Sequence, residues 1–275
     1  FARTSGLYFE KLMHVRKYTF SYNTLYFNQP YSGSDFVFSA GERWKQSIDF
    51  GFSPDCATME IGNIKYDNVE FKAESSKTKR LLFIDSGHYP FGHEGKTALA
   101  RLLISICRQF PDYELIIKPR FLPQDNIVTH KNSGHLYNYI ALESGGIPPN
   151  MTMLYEHKPL IDLVGLSDTV LCMYTTAYLD AALAGKRLVI IDGLPNKDNY
   201  DLRIESFWNP VREILKDTGC LVDYRDCLKC LPDGLICNPD HIRKHVYGFG
   251  NVSDKIAEVM EYLWENFLIK NIYPK

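Results

Sequence analysis

From Lys79 onward, short apolar runs alternate with longer stretches in which apolar residues recur every three or four positions. The short runs predict strands: RLLFID at 80–85, YELIIK at 113–118, MTMLYE at 151–156, TVLCMY at 169–174 and RLVIID at 187–192. The periodic stretches predict helices, beginning with KTALARLLISICRQF at 96–110, which Pro111 stops. HLYNYIALESGG at 135–146, PLIDLVGLS at 159–167, TTAYLDAALAGK at 175–186 and WNPVREILKDTG at 208–219 follow, the first and third of these ending in glycine caps. Because the strands are apolar at successive positions, both faces of their sheet need covering. The expectation is an α/β layer structure, a parallel sheet flanked by helices.

The first 75 residues follow another pattern. DFVFSA at 35–40 and CATMEIGN at 56–63 predict strands, and GERWKQSIDFGF at 41–52 a short helix. Three elements are too few to close a two-faced sheet. Residues 1–75 therefore read as the tail of a preceding domain, joined through the polar linker KAESSKTK at 72–79 to a Rossmann-like domain over 76–275. VSDKIAEVMEYLWENFLIK at 252–270 predicts a long amphipathic helix with Ser253 as its cap, and docking back onto the first domain is one option for its apolar face. Internal repeats and low-complexity tracts are absent from the sequence.

Composition narrows the function classes. The 275 residues are 45% hydrophobic and 13% aromatic, enough to build a core. Thirty-one Lys plus Arg against 33 Asp plus Glu leave a formal charge of −2, which argues against nucleic acid as a partner. The longest apolar run, LVII at 188–191, is strand-length and too short to span a bilayer. No charged-then-apolar leader follows Phe1, so the chain does not read as an intact secretory precursor. An odd count of seven cysteines suggests reduced thiols and a cytoplasmic setting. Cys220, Cys227, Cys230 and Cys237 have a C-x6-C-x2-C-x6-C spacing that suits a zinc ion. The better-supported alternative is a strand, GCLVDY, and a short helix, CLKCL, using cysteine as a small hydrophobe.

Three stretches suggest chemistry. PFGHEGKT at 90–97 sits where a phosphate-binding P-loop would, but Pro90 replaces the required first glycine and removes an N–H. The longer loop SGHYPFGHEG still leads to a helix N-terminus, so Ser86, Gly87 and His88 are candidate anion contacts or an ordinary capped turn. Thr175 and Thr176 stand where a strand gives way to a helix, and their hydroxyl and N–H groups can hold a phosphate. Asp180, four residues after Thr176, is expected on the same helix face, where its carboxylate can accept ribose hydroxyls. The competing reading of this segment is a capped helix with an exposed acid. IIKPR at 116–120 places Lys118 and Arg120 at the carboxyl end of a strand, the side on which open α/β sheets bind ligands.

These pieces, taken in order, resemble the second half of a GT-B glycosyltransferase, in particular the bacterial surface-polysaccharide enzymes and the CDP-glycerol glycerophosphotransferases. SDTVLCMYTTAYLDAALAGKRLVIID at 167–192 is similar to their donor-binding segment, and DFVFSAGERWKQSIDFGFSPDCATMEIGNIKYDN at 35–68 to the end of their first domain, which closes in a G-N-x-x-x-D run. The resemblance covers about residues 35–220. It implies transfer of a group from a nucleotide-activated donor to a glycan or lipid-linked acceptor, with peripheral membrane association compatible with such an acceptor. Thr175 and Thr176 would then contact the phosphates, Asp180 the ribose, and Tyr155, Glu156 and His157 the base through their backbone. Lys118 and Arg120 would neutralise the leaving group, with no cofactor and no catalytic metal. No catalytic base is assigned, since GT-B enzymes usually supply it from the first domain. A UDP-sugar 2-epimerase shares the architecture and stays open as the alternative, as do a P-loop-like NTPase and a non-catalytic nucleotide-binding module.

Overall fold

Six of the apolar runs assemble into one parallel sheet. The structure, a computed structural model, describes residues 2–3, 10–11, 13–15, 18–23, 36–39, 57–67, 79–86, 92–125, 134–173, 175–195, 212–245 and 251–263. Two compact units divide the chain, one over 71–238 and one formed by 1–70 together with 239–275.

The 71–238 unit holds β7 (Lys79–Ile84), β8 (Tyr113–Lys118), β9 (Met151–Met153), β10 (Thr169–Cys172), β11 (Arg187–Asp192) and β12 (Leu221–Asp223). They lie in the order β12-β11-β10-β7-β8-β9, and every neighbouring pair is parallel. Val170, Leu171, Cys172, Leu188, Val189, Ile190 and Ile191 are all fully buried, as strands covered on both faces require. At the edge β9 alternates, with Met151 and Met153 buried and Thr152 exposed.

The connections are the predicted helices α1 (Gly92–Gln109), α2 (Leu136–Ser144), α3 (Leu160–Gly165) and α4 (Tyr178–Leu183) and a helical turn over 212–216, and α5 (Cys227–Cys230) follows β12. The chain winds from β7 through β8 to β9, then returns past β7 and winds the other way from β10 to β12. Its direction reverses between β7 and β10. Gly185 closes α4 at φ +65°, with the N–H of Lys186 donating to Ala181 O at 2.9 Å and that of Gly185 to Ala182 O at 3.1 Å. The flat face left by Ala181 and Ala182, both buried, brings this short helix against the sheet.

In the other unit β1 (Ala2–Arg3) pairs antiparallel with β2 (Glu10–Lys11), and β3 (Met13–Val15), β4 (Tyr18–Asn23), β5 (Phe36–Ser39) and β6 (Ala57–Glu60) form a second sheet in that order. The β4-β5-β6 part is parallel. β5 and β6 match the predicted strands, whereas β1 to β4 lie where the pattern predicts no element. The aromatic alternation Tyr18, Phe20, Tyr22 is the overlooked strand signal. The helix expected over 41–52 and the linker over 72–78 lie outside the described residues.

Helix α6 (Pro239–His245) and helix α7 (Val252–Leu263) belong to this same unit. Val252 and Ile256 of α7 share a core with Phe38 and Ile61, and Val259 and Met260 pack against it. The cap of α7 comes from far along the chain, not from Ser253 alone. Asp67, the last residue of the G-N-x-x-x-D run, accepts the N–H groups of Val252 at 2.9 Å and Ser253 at 2.7 Å, and the Ser253 hydroxyl at 2.5 Å. Burial alone would raise the Asp67 carboxyl, but the Ser253 and Val252 donors and the Lys255 charge outweigh it and hold the group below its usual 3.8. Asp67→Ala is expected to cost about 1 kcal/mol, the worth of a helix cap, read from the urea midpoint at pH 7. A carboxyl lowered on folding stabilises above its unfolded value and less as it protonates, so the difference between wild type and variant should vanish as pH falls below 3.8.

Candidate functional site

The two edges of the parallel sheet treat their charges differently. At the amino edge Arg80 Nε meets Glu114 Oε2 at 2.9 Å, the second oxygen of Glu114 accepts from Thr152 at 2.7 Å, and Asp168 accepts the Arg80 N–H at 2.7 Å. Those groups satisfy one another. At the carboxyl edge the register places Lys118, Ile84 and Cys172 in one row across β8, β7 and β10. The residues just beyond them, including Ser86, Arg120 and Thr175, therefore share one sheet edge, with β8 and β10 about 10 Å apart. This is where the winding reverses, the place at which doubly wound sheets open a crevice for ligands.

A buried carboxylate that the sequence analysis passed over, Asp85, stands at the end of β7 and is 6% exposed. Its charge reaches Lys96 on α1 and both Lys118 and Arg120 beyond β8. Lys96 is 1% exposed and donates to Gly134 O at 2.7 Å. Burial pulls its ammonium down to about 8, with Asp85 opposing that shift. The lysine of PFGHEGKT is thus turned into the interior, inside a helix that starts at Gly92, and takes no P-loop role. Burial likewise lowers Lys118 and Arg120 from their ordinary values, and Asp85 again opposes it. Arg120 Nη1 donates to Ser86 O at 3.2 Å and its guanidinium lies 5.3 Å from the Phe121 ring centre. The Lys118 ammonium makes no hydrogen bond or ion pair with a described residue.

Helix α2 braces this corner. His135 Nδ1 accepts the Tyr137 N–H at 3.2 Å while Nε2 lies 3.0 Å from Phe121 O, so the ring is neutral with its proton on Nε2. Tyr137 donates from its hydroxyl to Leu154 O at 2.8 Å and to Ile117 O at 3.3 Å, which ties the ends of β8 and β9 together. Burial raises the Tyr137 hydroxyl, which stays protonated.

The threonine segment departs from expectation. The N–H groups of Tyr178, Leu179 and Asp180 bond back three residues, to Thr175, Thr176 and Ala177. Those bonds tighten the turn that enters α4, so Thr176 lies in the turn before the helix and Asp180 in its first turn. Asp180 is also buried, at 3% exposure, unlike the exposed acid of the capped-helix reading. Thr175 Oγ1 accepts the Ala177 N–H at 3.3 Å, whereas the N–H groups of Thr175 and Thr176 bond to no described residue.

The remaining candidates are scattered. Tyr155, Glu156 and His157 follow β9 and are exposed, with Tyr155 O accepting from Gln124 and Glu156 paired to Lys158 at 3.3 Å. The Tyr155 ring meets Tyr137 edge-on at 5.3 Å. Gly87 and His88 lie outside the described residues. His93, on the first turn of α1, hydrogen-bonds the Tyr139 hydroxyl. The four cysteines at 220–237 form no metal-spaced group: Cys220 is hydrogen-bonded to Cys237, which with burial holds its thiol protonated, and Cys227 donates to Asp223 O at 3.5 Å. Among the described residues no helix is long and apolar enough to cross a membrane. A surface cavity of about 620 Å³ beside Ile147 and Asn150 and another of about 600 Å³ beside His93 and Tyr224 contain none of the predicted nucleotide contacts.

No family profile matches the chain and no curated protein matches its sequence. Solved structures do resemble it. MnaA from S. aureus, solved with UDP, aligns at TM-score 0.53 and 13% identity over 84% of this chain and 60% of that one. UDP-GlcNAc 2-epimerase from Methanocaldococcus jannaschii aligns at 0.51 and 13% over 83% and 62%. The glycosyltransferase SnogD from Streptomyces nogalater, at 0.46 and 15% over 84% and 58%, is too distant to carry an argument. The chain spans about 60% of the length of these structures. At such identities the likeness is one of fold, the Rossmann-like α/β architecture of GT-B proteins.

Lys96 offers a test of this geometry by itself. A lysine lowered on folding is penalised while charged, fully below pH 8, and the penalty fades as pH rises from 8 toward 10.5. Wild type should therefore gain stability over that interval relative to Lys96→Met, measured by urea unfolding at each pH.

Proposed function

We propose that the chain is a GT-B-type transferase acting on a nucleotide-activated donor, with the diphosphate of the donor held at the carboxyl ends of β8, β7 and β10. One observation carries this reading: Lys118, without a hydrogen-bonding partner among the described residues, shares the edge at which the winding reverses with the N–H groups of Thr175 and Thr176, which bond to no described residue. Cations and backbone donors in a half-buried crevice stabilise charge that develops on a departing diphosphate. Lys118 and Arg120 supply that charge from the protein, so the reading calls for no metal and no cofactor. Ser86 lies beside Arg120, and the backbone after β9 offers the base its contacts. A cytoplasmic enzyme working on a glycan or lipid-linked acceptor at a membrane surface, as in the CDP-glycerol glycerophosphotransferases, is the finer form of this proposal.

Epimerisation of a UDP-sugar is the second reading, favoured by the fold likeness to the Methanocaldococcus jannaschii 2-epimerase. The two part on a single incubation. With UDP-GlcNAc and no acceptor, an epimerase converts the sugar at C2, detected by NMR, whereas a transferase leaves it unchanged until an acceptor is added.

Both readings need nucleotide binding. Thermal shifts with UDP, GDP, CDP, CMP and dTDP are expected to single out a diphosphate, and Lys118→Ala should weaken its Kd by about tenfold or more without lowering the melting temperature of the free protein. Thr176→Ala, at a half-buried position, should weaken it by a smaller factor. Titration curves for Lys118→Ala that overlay those of wild type would remove the proposed site.

A further inference from the structure

The loop that leaves β8 passes through Arg120 to a single peptide, Phe121–Leu122, that is held at both ends. Its carbonyl, Phe121 O, accepts from His135 Nε2 at 3.0 Å, and its Leu122 N–H donates to Asp125 Oδ2 at 2.6 Å. The Leu122 side chain is buried as well. From this anchored peptide the contacts run back to the cation: the Arg120 guanidinium lies 5.3 Å from the Phe121 ring centre, and its Nη1 donates to Ser86 O at 3.2 Å. His135 is itself fixed in place. It is 5% exposed and caps α2, with Nδ1 accepting the Tyr137 N–H at 3.2 Å and its ring 4.6 Å from that of Tyr137. Tyr137 in turn holds Ile117 O and Leu154 O. One neutral imidazole therefore uses one nitrogen for its own helix and the other for the arginine loop.

We propose that His135 is a positioning residue for the diphosphate subsite: by holding Phe121 O it sets where the Arg120 guanidinium stands, without touching the anion itself. This rests on the nucleotide reading above. A guanidinium presents its N–H donors in a rigid fork, so what a diphosphate gains from it depends on direction as much as on charge. Among the described residues Ser86 O is the one hydrogen-bond acceptor of Arg120. A single bond of that kind leaves the guanidinium free to turn about it, and the packing on Phe121 removes that freedom. Where the Phe121 peptide is released, Arg120 samples more directions, and the anion has to order it on binding.

Two substitutions separate the helix cap from the loop tie. Asn puts an oxygen where Nδ1 stands and is a favoured cap, but it is too short to reach Phe121 O; Gln puts its amide nitrogen near Nε2 and keeps the tie while giving up the cap. Each variant loses one bond, so stability alone does not tell them apart, and affinity does. Titrated with inorganic pyrophosphate and with UDP, His135→Asn should raise Kd about fivefold, the worth of one hydrogen bond, while His135→Gln stays within about twofold of wild type. In an Arg120→Gln background, His135→Asn should add less than about twofold, since its effect passes through that guanidinium. Wild-type affinity in His135→Asn, an equal loss in both variants, or a loss undiminished by Arg120→Gln overturns the role of His135 and leaves the nucleotide reading standing. If His135→Asn does not fold, a fall in His135→Gln as large as that in Arg120→Gln overturns that role. Failure of wild type to bind pyrophosphate or any nucleoside diphosphate overturns the subsite and the nucleotide reading together.

Discussion

A parallel sheet covered on both faces has only its strand ends left for chemistry, and the ends are not equivalent. In the 71–238 unit the chain reverses its winding between β7 and β10, so the helices following these two strands depart to opposite faces and the carboxyl edge opens between them. At the amino edge Arg80 is paired with Glu114, and Asp168 accepts the backbone N–H of Arg80. At the carboxyl edge Lys118 has no hydrogen-bond partner among the described residues.

Desolvation is the common cause behind the unusual groups of this corner. It lowers Lys96, Lys118 and Arg120, with Asp85 opposing the shift at each, and raises Tyr137. Cations kept half out of water bind a diphosphate more strongly than the same cations fully hydrated, because less of the attraction is screened. The fold itself does not select the reaction. GT-B proteins host more than one chemistry, and the difference lies in the groups that meet the sugar and any acceptor.

In the other unit the decisive contact is again a carboxylate, used differently. An amphipathic helix such as α7 must find an apolar partner, and it finds Phe38 and Ile61. Asp67 then fixes where that helix begins, by accepting two of the N–H groups that its first turn leaves open and the Ser253 hydroxyl. The G-N-x-x-x-D run thus has a structural purpose: Asn63 caps the 3₁₀ turn Ile64–Tyr66 by accepting the Lys65 N–H, and Asp67 at its end caps a helix 185 residues further on.

Hydrophobic periodicity was enough to determine the strands of the parallel sheet and their helices, since burial on both faces leaves a mark at every position of β10 and at the four central positions of β11. It was also enough to put Lys118, Arg120 and Thr175 at strand ends. It was insufficient for the short strands β1 to β3, whose two or three residues carry no period, and for Asp85, an acid that looks ordinary until the fold buries it. The four cysteines had a plausible ligand spacing, but spacing along a chain does not bring sulfurs to one point. Likewise a four-residue interval puts Thr176 and Asp180 together only where both lie in one α-helix, and Thr176 lies in the tight turn that precedes it. Local sequence sets which face is apolar and where a strand must stop; which charges share a crevice depends on strand order, and strand order is settled only when the whole sheet packs.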